Sequence, residues 1–157
     1  MNRMYVERPN KAWWVTTILA VALMAMALAA FKAFESQTLP DSARTGLAAL
    51  AFLVTYLVLA FYLMEYRVTT LEVQIRYPPF AYRIPKNAIQ NVSFNKTPFW
   101  MGVGVRIGGN RIAFSTRYGR VVDIEKDSGF FRHVWLTPND PDDFAEKVKA
   151  KLATKSR

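Results

Sequence analysis

The sequence contains few of the side chains on which enzymes and metal sites most often depend. It has no cysteine, and therefore no disulfide framework, thiolate nucleophile or thiolate metal ligand. Its single histidine, His133, argues against a histidine-based metal site or catalytic triad within one chain. His133 falls in a predicted strand, where a structural role is expected and pH sensing is the alternative. We therefore predict no catalytic residues, no cofactor and no metal.

A glycine-rich stretch resembles a nucleotide-binding loop but lacks the required context. Residues 102–109 read G-V-G-V-R-I-G-G, so the glycine spacing is one residue longer than in the dinucleotide fingerprint. Asn110 leads into another predicted strand instead of a helix, and no Lys-Ser or Lys-Thr pair follows. Glycines in such a position are typical of a strand bulge or a turn. The stretch is interpreted as part of a hairpin.

Basic side chains are the charged feature that most suggests a ligand. The chain carries 21 basic and 12 acidic residues, for a formal net charge of +9. Four arginines fall on adjacent predicted hairpins and are expected to converge at one end of the sheet: Arg106, Arg111, Arg117 and Arg120. Such a patch would attract anionic lipid headgroups, at about 1 kcal/mol per charge, or an acidic partner. A solvated face with no ligand is the alternative.

The acidic and aromatic side chains near these arginines have simpler interpretations. Asp123, Glu125 and Asp127 alternate on one predicted strand face near Arg111 and Arg120, and cross-strand pairing accounts for them. Several aromatic residues are interpreted as core or membrane-interface side chains, or as a partner surface if exposed together. They are Phe99, Trp100, Phe130, Phe131 and Trp135.

Two long uncharged stretches precede these residues and indicate a transmembrane hairpin. Residues 12–31 and 46–64 are each long enough, at 1.5 Å per residue, to cross a hydrocarbon core of about 30 Å. A cleaved signal peptide is the alternative for the first stretch, but this stretch is longer than a typical signal core and lacks a good cleavage site. The expected anchors at the membrane interface are Arg8, Lys11, Trp13 and Trp14.

The charges that flank the two stretches predict the orientation of the hairpin. The tail 1–11 is basic, the charges of the loop 32–45 cancel, and further arginines follow the second stretch. Basic flanks favour the cytoplasmic side, so both termini are predicted to be cytoplasmic in a prokaryotic inner or plasma membrane, with the loop outside. The absence of charged residues within the stretches argues against a proton or ion pathway. Their many alanines would allow partner helices to approach closely.

From residue 65 onward the pattern is that of a small β-rich domain, predicted to extend over 65–157. Apolar and polar residues alternate in about seven short segments separated by turn residues, which predicts an antiparallel meander. Asp140 and Pro141 have the chemistry of a helix start. The spacing of apolar residues after them predicts one amphipathic helix over 141–153 that packs on the sheet.

Four short motifs in this order resemble a known family. They read V-T-T-L-E-V at 68–73, I-P-K-N-A-I-Q-N-V at 84–92, V-V-D-I-E at 121–125 and L-T-P-N-D-P-D-D-F at 136–144. Together with the hairpin they resemble the bacterial pleckstrin-homology-like (bPH) domain proteins. The resemblance implies an α+β membrane protein, in which a two-helix transmembrane hairpin precedes a PH-like antiparallel β sandwich or barrel capped by a C-terminal helix. It also implies that Phe144 plugs the barrel.

The bPH family has no shared catalytic residues, so the resemblance implies a membrane-anchored binding or scaffolding role. The first hypothesis is a non-enzymatic accessory subunit or assembly factor that docks on other integral membrane proteins. The second is a membrane-anchored sensor of anionic lipid headgroups that uses the basic hairpins. The third is an enzyme with an unfamiliar site built from Asp, Glu, Arg and Tyr. The lipid bilayer is the expected surrounding, and nucleic acid is not an expected partner.

Overall fold

The computed structural model describes residues 4–35, 40–98 and 102–153, with 151–153 described by their backbone alone. Phe99 and Trp100, two of the aromatic residues singled out in the sequence, lie outside the described residues. The chain divides into two compact units. One is Trp13–Tyr62, and the other combines Met1–Ala12 with Leu63–Arg157.

The first unit is a pair of contacting helices, α1 (Trp13–Glu35) and α2 (Asp41–Tyr62). Both helices extend into the predicted loop 32–45, whose described residues 32–35 and 41–45 are helical. At the start of α2, the Pro40 carbonyl accepts hydrogen bonds from the N–H groups of Ala43 and Arg44, at 3.0 and 3.2 Å. Asp41 places a negative charge at the positive end of the helix dipole. The uncharged stretches thus located the apolar parts of both helices. The helices also include charged residues at their loop ends, which a search for uncharged residues leaves out.

The surfaces of both helices are apolar and exposed. Only 6% of the most apolar stretch of α1 is buried, and only 17% of that of α2. Met24 and Phe52 are 69% and 74% exposed. The threonine hydroxyls bond back to the helix, as in the 2.8 Å hydrogen bond from Thr55 to the Ala51 carbonyl. By length and composition, each helix is a candidate membrane span.

The second unit begins with a four-stranded antiparallel sheet in the order β1-β2-β3-β4. The strands are β1 (Tyr5–Glu7), β2 (Glu65–Val68), β3 (Glu72–Tyr77) and β4 (Phe80–Pro85). The sequence did not predict β1, which lies in the basic tail before α1. This strand pairs with β2, which follows α2 in the chain. The basic tail is therefore in part a strand of the β domain.

A second, five-stranded sheet has the order β5-β8-β9-β7-β6. Its strands are β5 (Ile89–Lys96), β6 (Gly104–Gly108), β7 (Arg111–Ser115), β8 (Arg120–Lys126) and β9 (His133–Leu136). β9 lies between β7 and β8 and runs parallel to β7, so the prediction of a purely antiparallel meander is wrong for this sheet. Alternation in the sequence sets which face of a strand is buried, but it does not choose the neighbouring strand.

The glycine-rich stretch forms β6 and the turn into β7, as predicted. Gly109 has a φ of 59°, a left-handed conformation that glycine adopts without steric cost. Arg111 pairs with Gly108 directly after this turn. The segment is therefore a β-hairpin, and no helix follows it.

One hydrophobic core joins the two sheets to the C-terminal helix. Tyr66 and Ile75 of the first sheet and Val122 and Leu136 of the second are all fully buried in it. Helix α3 (Pro141–Ala153) has the predicted bounds. The fold is thus α+β, with two long apolar helices, two β sheets of which one is mixed, and a C-terminal helix.

Phe144 of α3 fills the centre of this core. Its side chain is fully buried, and its ring centroid lies 6.0 Å from that of Tyr66 and 6.2 Å from that of Tyr5. The helix starts as predicted, because the Asp140 carboxylate accepts hydrogen bonds from the N–H groups of Asp142 and Asp143 at 3.0 and 3.1 Å. This cap directs Phe144 towards both sheets.

Candidate functional site

The segment before α1 is fixed to the β domain by Asn139. The backbone N–H of Asn139 donates a hydrogen bond to the Glu7 carboxylate, and its side-chain amide donates to the Arg8 carbonyl at 3.1 Å. The backbone N–H of Asn10 donates to the Asn139 side-chain oxygen at 2.6 Å. The other Glu7 oxygen accepts from the Tyr5 hydroxyl at 2.8 Å. Burial, followed by this hydrogen bond, raises the pKa of Tyr5.

Thr116 attaches the last residues before α1, Asn10 and Ala12, to the β domain. Its hydroxyl donates a hydrogen bond to the Asn10 carbonyl at 3.0 Å, and its carbonyl accepts one from the Ala12 N–H at 3.3 Å. Its own N–H donates to the Thr137 hydroxyl at 2.8 Å. The chain from Tyr5 to Ala12 is therefore held along the β domain by backbone and side-chain hydrogen bonds.

The four predicted interface anchors belong to this segment and to the helix that follows. Arg8 is exposed and lies 3.8 Å from the Glu65 carboxylate. Burial lowers the pKa of Lys11, and the positive charge of Arg8 lowers it further. Trp13 and Trp14 are the first residues of α1, and Trp13 is 79% exposed. Arg8 thus contacts the β domain through Glu65, and an interfacial role for all four residues stays a prediction.

The four arginines predicted to form one patch do not meet at one end of the sheet. Arg111 begins β7 next to the hairpin turn, whereas Arg117 and Arg120 follow the opposite end of β7. Arg106 lies in the middle of β6, opposite Ala113, and its guanidinium is close to Gly102, which precedes β6. The predicted convergence is therefore wrong for Arg111. Register explains its separation, because the pairing of Gly108 with Arg111 places Arg111 at the turn end of β7.

Three of these arginines have intramolecular partners. The Arg111 guanidinium lies over the Trp135 ring at 4.1 Å. Arg117 donates to the carbonyls of Pro138 and Asn139 at 2.7 and 2.8 Å. Arg120 pairs with Asp142 at 2.7 Å and stacks on Phe94 at 4.0 Å. Arg117 and Arg120 thus hold the segment that leads into α3, and anionic-lipid binding by the four arginines stays a prediction.

His133 forms a small polar cluster on the outer face of the second sheet. Its Nδ1 lies 3.2 Å from both carboxylate oxygens of Asp123, and Asn95 donates to the same carboxylate at 3.2 Å. Asp123 is 4% exposed, so its partners replace lost hydration. It pairs with His133 and not with the arginines expected from the sequence. Among the described residues, no three His, Cys, Asp or Glu side chains form a group suited to a metal ion.

A basic groove on the outer face of the first sheet was not predicted as a site. Strand register places Arg67, Gln74 and Arg83 side by side across β2, β3 and β4, and pairs Glu65 with Arg76 in the next row. A cavity of about 410 Å³ is lined by Arg67, Gln74, Arg76 and Arg83 and by the turn that contains Phe80. In the sequence these arginines indicate only the orientation of the hairpin, because their adjacency depends on strand register.

Glu65 organises the basic side chains of this groove. Its side chain is buried, and its Oε1 accepts a hydrogen bond from Arg67 Nε at 2.6 Å and lies 3.3 Å from Arg76 Nη1. Arg8 approaches the other oxygen at 3.8 Å. One carboxylate thus contacts three guanidinium groups, so positive charge remains in excess on this face.

Comparison with known proteins gives no match: no protein-family model, no curated protein and no solved structure matches this chain. Functional conclusions therefore depend on the geometry of the chain itself.

Proposed function

We propose that this chain is a non-enzymatic integral membrane protein. In this proposal α1 and α2 cross a prokaryotic inner or plasma membrane, and the β domain is a PH-like domain on the cytoplasmic face. The protein acts as an accessory subunit or assembly factor: its helices pack against those of a larger membrane complex while the β domain braces the cytoplasmic side.

The observation that carries the proposal is the apolar exposure of both helices. Apolar side chains on helices of a soluble protein are mostly buried, whereas 6% and 17% of the most apolar stretches of α1 and α2 are buried. Surfaces of this kind require a lipid or protein surrounding, since exposure of so much apolar area to water is unfavourable. A bilayer and a set of partner helices together supply that surrounding.

The attachment of the first residues to the β domain supports a retained first helix. Cleavage after an N-terminal signal would remove β1 and would leave the Asn139 N–H without the Glu7 carboxylate. It would also remove the Tyr5 ring from its contact with Phe144. These losses would cost the β domain part of its core, so a cleaved signal is a poor alternative.

The chain segments that make up the second unit support a hairpin topology. The segments before α1 and after α2 belong to one compact unit, as expected when two spans return the chain to the side from which it started. The excess of basic residues near the spans favours the cytoplasm for that side. Two sheets that share a core with a C-terminal helix are also what a PH-like domain requires.

Small residues on the helices support contact with partner helices. Ala22 and Ala25 are exposed on α1. A Cβ atom added to Gly46 of α2 would meet no atom within 4 Å. In a bilayer, small residues let the backbones of neighbouring helices approach closely.

Purification of the full chain in mild detergent tests the proposal. We expect another integral membrane protein to co-purify in stoichiometric amount, identified by mass spectrometry. Gly46→Leu is expected to reduce this recovery, because it adds bulk at an open position on the helix surface. Val21→Leu, at an exposed position that is already large, is the control. Elution as a monomer without a partner, or equal recovery with both variants, would count against the proposal.

A further inference from the structure

The basic groove combines charged groups that the fold neutralises only in part. Arg67 and Arg76 are held by Glu65, whose side chain is 9% exposed, while their own side chains are 27% and 44% exposed. Arg83 is exposed and, within the described residues, makes no ion pair or side-chain hydrogen bond. Gln74 lies between Arg67 and Arg83, and its side-chain amide likewise has no described partner.

The register of the three strands brings these donors together. Arg67 pairs with Gln74, and Gln74 pairs with Arg83, so the three lie in one row on the same face. Adjacent strands are about 4.8 Å apart, which separates the backbones of Arg67 and Arg83 by about 10 Å. Two arginine side chains can both reach an anion placed between them at this separation. The amide of Gln74 lies beneath that position.

We propose that the basic groove binds a phosphate-bearing anion. The phosphate oxygens accept hydrogen bonds from the guanidinium groups of Arg67 and Arg83 and from the Gln74 amide, with Arg76 as a further cation at the edge. Guanidinium groups suit this task because they donate two parallel hydrogen bonds to a phosphate. Glu65 is a positioning residue, since its oxygens hold Arg67 and Arg76 in place.

The neighbouring acidic side chain does not occupy the groove. Glu72, the acidic residue of β3, pairs in register with Pro85 and lines a separate small cavity with Lys86. Glu65 is therefore the carboxylate within the ion-pair network of the groove. One negative charge against Arg8, Arg67, Arg76 and Arg83 leaves a net attraction for an anion.

The rim of the groove suits an amphiphilic ligand as well as a soluble one. Phe80 is 72% exposed beside the groove, next to Pro78 and Pro79. A phospholipid would place its phosphate on the arginines and its glycerol and acyl carbons against Phe80. A soluble phosphate ester would use the arginines alone. The two sources share their phosphate chemistry and differ in their need for Phe80.

The test uses the full chain labelled with 15N and observes the arginine Nε–H signals by NMR. In neutral detergent, the protein is titrated with glycerol 3-phosphate and, in a separate control, with sodium chloride at the same ionic strength. In nanodiscs, phosphatidylglycerol is compared with phosphatidylcholine. We expect the Arg67 and Arg83 signals to shift with at least one phosphate probe. Arg83→Gln is expected to weaken that binding by about tenfold, because it removes a charge-assisted contact.

Two control variants make the result decisive. Arg132→Gln removes the same charge from an exposed position outside the groove and is expected to leave affinity within about twofold. Phe80→Ser is expected to weaken lipid binding but not glycerol 3-phosphate binding, which identifies the source. Absence of shifts with both probes would overturn the proposal. Equal losses for Arg83→Gln and Arg132→Gln would also overturn it, because they would indicate general charge attraction.

Discussion

Tyr66 illustrates how single polar groups are accommodated in the core of the β domain. Its hydroxyl donates a hydrogen bond to the Phe114 carbonyl at 2.8 Å and accepts one from the Thr137 N–H at 3.4 Å. The side chain is fully buried, and burial raises the pKa of the phenol because the phenolate would lose its hydration. The neutral form is thus part of the folded state.

Ionisation of Tyr66 should destabilise the β domain at alkaline pH. Above pH of about 10 an unfolded tyrosine loses its proton while folded Tyr66 keeps it, so the unfolded state binds fewer protons and the free energy of unfolding falls. Urea unfolding of the full chain in detergent, followed by tryptophan fluorescence between pH 7 and 11, measures this fall.

Tyr66→Phe provides the comparison for this pH dependence. At neutral pH the variant should lower the free energy of unfolding by about 1–2 kcal/mol, because two buried backbone groups lose a partner. The difference between the two proteins should shrink as the pH rises above 10. A constant difference across the range would show that Tyr66 does not contribute to alkaline unfolding.

Arg117 and Arg106 should differ sharply in their effects on stability. Arg117→Gln removes a guanidinium that donates to two carbonyls before α3, and should cost about 1.5–3 kcal/mol in the free energy of unfolding. Arg106 is exposed on β6, so Arg106→Gln should change stability by less than about 0.5 kcal/mol. Thermal or urea unfolding in detergent measures both. Equal effects would indicate that the hydrogen bonds of Arg117 add no stability.

At the scale of elements, β1 joins the segment before the hairpin to the domain after it. The strand is only Tyr5–Glu7, and it lies at the edge of the first sheet. Glu7 anchors it through the Asn139 N–H and the Tyr5 hydroxyl, and Tyr5 reaches the core at Phe144. A three-residue edge strand depends on such side-chain contacts, because its backbone ladder is short.

Glu7→Ala should therefore loosen β1. Both the Asn139 N–H and the Tyr5 hydroxyl lose their acceptor, and we expect a loss of about 1–3 kcal/mol in stability. Hydrogen–deuterium exchange should become faster at Asn139 and along β2. Val6→Ala is the control, since Val6 is 42% exposed, and it should leave exchange at Asn139 unchanged. Unchanged exchange in Glu7→Ala would contradict a role for this carboxylate in holding β1.

At the scale of the whole molecule, a single unit contains the segments on both sides of the helical hairpin. The proposed topology predicts that both termini lie on the cytoplasmic side of the bilayer and that the loop 32–45 lies outside. The apolar helices and the basic β domain then occupy the environments that their surfaces favour.

Cysteine labelling tests this topology without background, because the chain has no cysteine of its own. We expect a membrane-impermeant maleimide to label Gln37→Cys in intact cells. Asp127→Cys, in an exposed turn of the β domain, should be labelled only after lysis. The reverse pattern would place the β domain outside the cell and overturn the predicted orientation.

Local patterns in the sequence determined the features that depend on neighbouring residues. The long stretches without charged residues located both apolar helices. The alternation of apolar and polar residues placed Val73 and Ile75 on the buried face of β3. Asp140 and Pro141 fixed the start of α3 because a helix cap involves only adjacent residues. These features follow from the chemistry of a few consecutive side chains.

Tertiary structure alone decided which distant segments meet. It paired Tyr5–Glu7 with β2 as a strand, ran β9 parallel to β7, and placed Arg111 at the opposite end of β7 from Arg117 and Arg120. It also assembled the basic groove from β2, β3 and β4. The physical reason is that strand partners and register depend on contacts between residues far apart in the chain, and a period of two reveals only the buried face.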